Sequence, residues 1–241
     1  MKILSSSAAP MASATYSALM AKCPQATFLE IWGMTELSAF GTCTPVETGQ
    51  VKLGSVGCPL PGCAVKIVDL GTGTTALPAG QDGEICYQGP QIMHGYWNKP
   101  EATAETIREG WLYSGDVGHV DEEGWLYIVD RKKDMIIAGG YNIFPSQIDD
   151  VLYSHPAILE ACCIGVPDAY RGETVKAFIV LKPGKVLTAD EVNLFCRERL
   201  SAYKVPKQIN FIDQLPKSTV GKILRRELLR LELLKPAPTD L

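Results

Sequence analysis

The chain has 241 residues, of which 46% are hydrophobic and 21% charged, and its formal charge is −4. That is ordinary globular composition, so extended disorder and collagen-like repeats are excluded, and the length suits one large domain or two modest ones. The acidic balance argues against a nucleic-acid binder that works by neutralising phosphates, and no apolar run approaches the roughly 18 residues needed to cross a bilayer.

Near the start, Lys2, a mildly apolar stretch and Ala12-Ser13-Ala14 imitate a secretory leader, but Ser5, Ser6, Ser7 and Pro10 break its apolar core. Eight cysteines and three histidines form no C-x-x-C pair or metal-ligand cluster. Cys58 and Cys63 bracket Pro-Leu-Pro-Gly without a second ligand pair, which reads as free thiols in a reducing cytoplasm and not as half of a zinc site.

In chain order, helix is expected near residues 13–22 and 101–108, and short strands at Thr27–Ile31, Ala64–Val68 and Glu84–Tyr87. Gly71-Thr72-Gly73-Thr74-Thr75 imitates a phosphate loop, yet no helix follows it, so a turn between strands is expected. Val117–Val120 and Trp125–Val129 face each other across Asp121-Glu122-Glu123-Gly124 as a hairpin. The texture changes at Asp130-Arg131-Lys132-Lys133-Asp134, an unbroken run of charge expected to be exposed and to separate two domains. Beyond it, Ser146–Ser154 has helical spacing and stops before Pro156. Ile158–Val166 and Val175–Leu181 are apolar enough for buried strands. Thr188-x-x-Glu191 is a capping box with Leu187 and Val192 placed as a hydrophobic staple. Gln208–Ile212 reads as a strand, and Gly221–Leu234 as a basic helix with Leu224, Leu228 and Leu231 on one face. The order after the charged run is β-α-β-β-α-β-α. The fold class expected is α/β and α+β, a β-rich part of a large domain (sheet or barrel) followed by a small α+β domain.

Three segments look chemical. In Tyr113-Ser114-Gly115-Asp116-Val117-Gly118, a carboxylate between glycines can approach a sugar and accept bonds from two vicinal hydroxyls; an ordinary Gly-Asp turn is the other reading. Ile136–Asn142 runs a strand into Gly139-Gly140, which suits either close approach to a ligand or a tight strand-to-helix turn. In Pro216–Lys222, a lysine at the mouth of a helix can meet an anion, or be merely solvated; this is not a Walker A loop, because no Ser/Thr follows Gly-Lys.

Together, in order and spacing, these segments resemble the adenylate-forming superfamily of acyl-CoA synthetases, peptide-synthetase adenylation domains and luciferase. Trp32-Gly33-Met34-Thr35-Glu36 is similar to its aromatic-Gly-x-Thr-Glu motif, Ser114-Gly115-Asp116 to its ribose-binding Ser/Thr-Gly-Asp, residues 130–145 to its hinge and glycine loop, and Pro216–Lys222 to its terminal lysine motif. Met135–Pro145 is most like the fatty or aryl acid–CoA ligases.

The resemblance implies roles. Thr35 would hold phosphate oxygens and Glu36 would bind Mg²⁺, both counted with Lys222 as catalytic. Trp32 would flank adenine and acyl group, and Ala8 and Ala9 would line the adenine pocket. Asp116 would take the ribose hydroxyls with Arg131 assisting, and Lys133 would be the hinge residue. Gly139, Gly140 and Asn142 would line the CoA pantetheine tunnel, and Lys222 would bridge substrate carboxylate and α-phosphate. Domains of 1–130 and 135–241 around a 131–134 hinge follow. Gln147 stands where the family commonly has glutamate.

The family's Ser/Thr/Gly-rich phosphate loop does not occur here, so the chain is expected to be the C-terminal portion of an AMP-forming acid–CoA ligase. It would use ATP, CoA and a carboxylic acid, and would need the missing N-terminal half as its partner. The other readings are a non-catalytic nucleotide- or partner-binding piece and an adenylation domain that loads a carrier protein.

Overall fold

A computed structural model describes residues 2–7, 13–48, 50–219 and 221–234. The chain divides into two compact units, 1–132 and 133–241. Among the described residues no helix is long and apolar enough to cross a membrane.

The first unit opens with a crossover. Strand β1 (Lys2–Ser6), helix α1 (Ser13–Lys22) and strand β2 (Ala26–Trp32) place β1 parallel to β2, with Lys2 opposite Ala26 and Ser6 opposite Glu30. β3 (Thr42–Cys43) and β4 (Cys58–Pro59) extend this sheet antiparallel, in the order β1-β2-β3-β4. The second sheet holds β5 (Ala64–Val68), β6 (Gly83–Gln88), β7 (Ile107–Arg108), β8 (Trp111–Val120) and β9 (Leu126–Arg131), with α2 (Pro100–Thr106) before β7. Its order is β5-β6-β8-β7, and β9 also pairs with β8. Trp32 and Leu37 pack with Ile67, Ile85, Tyr87, Leu112 and Leu126, so one apolar core binds the end of β2 to the second sheet.

Both expected turns are built by an aspartate. Asp69 Oδ1 accepts the N–H groups of Gly71 and Thr72, and Val68 bridges to Ala76, so the glycine-threonine stretch is a loop between strands. Asp121 Oδ1 accepts from Glu123 and Trp125 across the β8–β9 hairpin, where Gly124 takes φ 87°.

The second unit runs β10 (Ile136–Ala138), β11 (Tyr141–Ile143), α3 (Pro145–Tyr153), β12 (Ile158–Asp168), β13 (Gly172–Leu181), α4 (Ala189–Arg197), β14 (Gln208–Phe211) and α5 (Arg225–Leu233). The order therefore carries one strand more than expected. Gly139 and Gly140 (φ 59° and 84°) form a two-residue hairpin turn between β10 and β11, not a strand-to-helix turn. Left-handed conformation at both central positions is the type I′ pattern that matches strand twist.

β12 and β13 are buried on both faces, which explains their unbroken apolar runs. Ala161, Cys163, Val175, Ala177 and Ile179 face a core with Ile148 and Leu152 of α3 and Val192 and Cys196 of α4. Cys162, Ile164, Val166, Phe178 and Val180 face Leu228 of α5. The capping box at Thr188 and Glu191 is present in both directions, and Leu187 packs into the same core as Val192.

Three expectations need correction. The last helix begins at Arg225, not Gly221, because Lys217 bridges to Ile223 and Ser218 N–H donates to the Lys222 carbonyl (2.8 Å), closing a turn before it. Only Leu228 of its three spaced leucines is buried; Leu224 and Leu231 are exposed. The charged run is not exposed throughout either. Asp130 is buried, Lys132 pairs with Glu84 at 2.6 Å, and Arg131 pairs with Asp116, so Lys133 is the exposed member.

All eight cysteines are free thiols, four of them buried. Burial pushes Cys86 and Cys162 up to about 12, so both stay protonated and inert. Among the described residues no group of three His, Cys, Asp or Glu is gathered to hold a metal.

Candidate active site

In the first unit the site is built around the end of β2. Trp32 is followed by Gly33, whose hydrogen lies where a Cβ would stand 1.7 Å from the Ala39 carbonyl oxygen, so no side chain fits there. A 3₁₀ turn, Thr35–Leu37, follows. The chain then reverses through Ser38 and Ala39, both left-handed at φ 52° and 92°, and Gly41 N–H returns to the Trp32 carbonyl at 2.9 Å. Two non-glycine residues held in that region cost on the order of 1–3 kcal/mol each, and such strain clusters at functional turns.

The turn presents Thr35 exposed and Glu36 half-buried. The Tyr96 hydroxyl donates to Glu36 Oε1 at 2.7 Å, and Met93 N–H donates to the Glu36 carbonyl at 2.8 Å. Burial, then the Glu36 carboxylate, push the Tyr96 phenol up, so it remains a donor. Tyr96 was not anticipated from sequence. It stands 60 residues from Glu36, and no local pattern marks it.

Asp116 sits on β8 at a bulge. Gly115 takes φ 70°, and the β6–β8 register shifts between Glu84 and Cys86. Ser114 secures the bulge: its hydroxyl donates to the Ile85 carbonyl (2.8 Å) and accepts the Asp116 N–H (3.0 Å). Asp116 is buried, and a buried carboxylate needs partners. Arg131, its direct neighbour across the β8–β9 ladder, supplies Nε at 2.6 Å from Oδ1, and Trp32 Nε1 donates to Oδ2 at 2.8 Å. Trp32, Asp116 and Arg131 are thus brought together, and Thr35 and Glu36 follow Trp32 on one turn. Ala8 and Ala9 lie outside the described residues.

In the second unit Gly139 and Gly140 are exposed at the tip of the β10–β11 hairpin, and Gly139 N–H donates to the Arg171 carbonyl at 2.8 Å. Asn142 is exposed opposite Ile137, and the Tyr141 ring stacks on Tyr203 at 4.5 Å. Gln147 Oε1 accepts from Lys204 Nζ at 2.6 Å. Lys222 is exposed on the turn before α5, its backbone N–H bonded to Ser218 Oγ at 3.2 Å. Among the described residues its ammonium group makes no hydrogen bond or ion pair. Lys133 opens the second unit.

The AMP-binding enzyme family model matches residues 1–97, and that of the AMP-binding enzyme C-terminal domain matches residues 147–222. The long-chain-fatty-acid–CoA ligase of Bacillus subtilis (strain 168) is 53% identical over 204 residues, 85% of this chain and 36% of that protein. The 2-succinylbenzoate–CoA ligase of Bacillus cereus (strain Q1) is 45% identical over 202 residues, 84% of this chain and 41% of that protein. Among solved structures, ATP-bound MatB from Rhodopseudomonas palustris superposes with a TM-score of 0.88 at 35% identity, covering 95% of this chain and 45% of that one. The o-succinylbenzoate CoA synthetase MenE from Bacillus subtilis, in complex with the acyl-adenylate OSB-AMP, superposes with a TM-score of 0.84 at 33% identity, covering 100% of this chain and 47% of that one. The chain therefore spans less than half the length of the relatives it matches.

Proposed function

The chain belongs to the AMP-binding enzyme family, and we propose that it is the C-terminal part of an AMP-forming acid–CoA ligase working in the cytoplasm. A carboxylic acid and ATP give an acyl-adenylate and pyrophosphate; the CoA thiol then displaces AMP. The observation that supports this best is Asp116, a buried carboxylate held by a donor on each oxygen. Such a group is suited to a vicinal diol, the ribose of a nucleotide.

Each residue has work of its own in that scheme. Asp116, steadied by Arg131, anchors the ribose, while Trp32 flanks the adenine together with Ala8 and Ala9. Thr35 donates to phosphate oxygens. The Glu36 carboxylate suits Mg²⁺, a hard cation that typically takes one or two protein carboxylates and completes its shell with phosphate oxygens and water. When bound, the ion neutralises phosphate charge. Lys222, whose ammonium group makes no ion pair among the described residues, approaches the substrate carboxylate and α-phosphate and offsets their repulsion as the new bond forms. Lys133 takes up the reorientation of the second unit between the half-reactions, after which Gly139, Gly140 and Asn142 line the path of the CoA arm. The names of the relatives favour fatty or aryl acids as substrates.

The test is acid-dependent ATP–pyrophosphate exchange by the longer protein that includes this chain, assayed with fatty and aryl acids. Exchange followed by CoA thioester formation is expected. The 241-residue chain alone is expected to show negligible exchange, since it has no phosphate loop. No exchange by the longer protein with any such acid overturns the ligase reading.

A further inference from the structure

The segment between β6 and α2 lies along the Glu36 turn and is bonded to it over its length. Met93 N–H donates to the Glu36 carbonyl (2.8 Å), Ser38 Oγ to the Gln91 carbonyl (3.0 Å) and Gln91 Nε2 to the Phe40 carbonyl (3.2 Å). These bonds fix the turn itself. Among the described residues, only the Tyr96 hydroxyl reaches the Glu36 carboxylate, donating to Oε1 at 2.7 Å. Tyr96 is held in its turn by α2. Its N–H donates to Thr103 Oγ1 at 2.9 Å, Thr103 Oγ1 donates to the Lys99 carbonyl at 2.9 Å, and the Thr106 side chain bonds the phenol. Gly95 permits this approach, since a Cβ there would stand 2.8 Å from Thr103 Cγ2.

We infer that Tyr96 is a positioning residue, whose hydroxyl holds the Glu36 carboxylate in one orientation and so presents Oε2 to a divalent cation that arrives on the nucleotide phosphates. This rests on the proposed reading of Glu36 as the Mg²⁺ ligand. The terminal torsion of a glutamate is broad and soft, and Glu36 is only half-buried, so without a donor its carboxylate can pivot. An ionised carboxylate only accepts, which makes the phenol the donor of the pair. Oε2 makes no hydrogen bond or ion pair among the described residues. No group of three His, Cys, Asp or Glu is gathered around it there. A single oriented carboxylate suits a cation whose other ligands are phosphate oxygens and water, not one held in a protein cage. The hydrogen-bond partner behind a metal ligand is typically worth roughly 10–100-fold in metal affinity.

The test uses the longer protein that includes this chain, with no acid substrate present. MgATP, and in EDTA metal-free ATP, are titrated calorimetrically into wild type, Tyr96→Phe and Glu36→Gln. Wild type is expected to bind MgATP the more tightly, and Glu36→Gln to lose that advantage. Tyr96→Phe is expected to weaken MgATP about tenfold, the low end of the range for removing the partner behind a ligand, and to leave metal-free ATP nearly unchanged. A general loosening of the site would weaken both forms alike. Equal loss for both, or no loss, in Tyr96→Phe therefore overturns the inference, and leaves the reading of Glu36 in place if Glu36→Gln still abolishes the advantage. A wild type without the advantage, or a Glu36→Gln that keeps it, removes Glu36 as the metal ligand and the inference with it. Should Tyr96→Phe fail to fold, site-specific Tyr96→4-fluorophenylalanine fills the place of the hydroxyl without donating and is read by the same outcomes.

Discussion

Arg225, the first residue of α5, and Asp149 of α3 form a 2.7 Å ion pair. Arg225 also donates to the Cys163 carbonyl at 2.8 Å, and Asp149 accepts the Cys163 N–H at 2.7 Å. The pair thus ties the helix after the Lys222 turn, the helix after the glycine hairpin and β12 to one point. Removing one partner of a buried pair strands the other charge and costs about 3–5 kcal/mol. Arg225→Ala is therefore expected to destabilise the chain by that amount in urea unfolding, and a loss below about 1 kcal/mol would show that the tie is dispensable.

The same pair sets a pH dependence. Burial is the largest influence on Asp149 and raises its carboxyl to about 6, against Arg225 and the Cys163 bonds, which lower it. The folded value lies above the unfolded one, so between about pH 4 and pH 6 the folded state holds the extra proton. Stability from this group is then greatest below the unfolded value and declines as pH rises through the folded one. Carboxylates such as Asp121, lowered in the folded state, act in the opposite direction, so the measurement is a difference. The stability advantage of wild type over Asp149→Asn is expected to shrink by on the order of 2 kcal/mol from pH 4 to pH 7. An advantage that grows over that range contradicts the assignment.

What could be read from sequence followed the range of the interaction. β5 matched its expected Ala64–Val68, and the Thr188 capping box was found in both directions, because each is fixed by residues within a few positions. β11 escaped because a three-residue strand has too few alternations to show a period. The motif positions around Trp32 and Asp116 stood out locally, but their hydrogen bond spans 84 residues, and that of Tyr96 with Glu36 spans 60. The last helix misled for a different reason. Leu224, Leu228 and Leu231 keep helical spacing, yet the Lys217–Ile223 bridge and left-handed Gly221 hold the chain in a turn until Arg225.

That correction is measurable. Leu228 is buried against β12 and β13, so Leu228→Ala is expected to cost about 2–5 kcal/mol, the range for truncating a core leucine. Leu224→Ala and Leu231→Ala, at exposed positions, are expected to stay within about 0.5 kcal/mol. Comparable losses at all three would restore the continuous apolar face.

Lys133 is the exposed residue of a charged run whose preceding members are tied by ion pairs, Arg131 to Asp116 and Lys132 to Glu84. A reorientation that leaves those pairs intact has to begin at or after Lys133. Proline there fixes φ. In the proposed longer ligase, Lys133→Pro is expected to slow thioester formation more than adenylation, if the second half-reaction uses the reoriented second unit as proposed. Equal impairment of both steps, measured separately, argues against a hinge here.

Lys222 offers the sharpest separation of structure from chemistry. Its side chain is exposed on the turn before α5, and what holds that turn is backbone and Ser218, not the ammonium group. Lys222→Ala should therefore leave the unfolding of the 241-residue chain within about 0.5 kcal/mol of wild type. In the proposed longer ligase the same change is expected to slow adenylation by a few orders of magnitude, because one well-placed donor to developing charge is worth roughly 3–4 kcal/mol. Thioester formation from supplied acyl-adenylate should survive far better, since the bond between carboxylate and α-phosphate already exists and no longer needs a cation between two anions. Near-wild-type adenylation by Lys222→Ala would take this lysine out of the mechanism, and a large loss of stability would instead mark it as part of the fold.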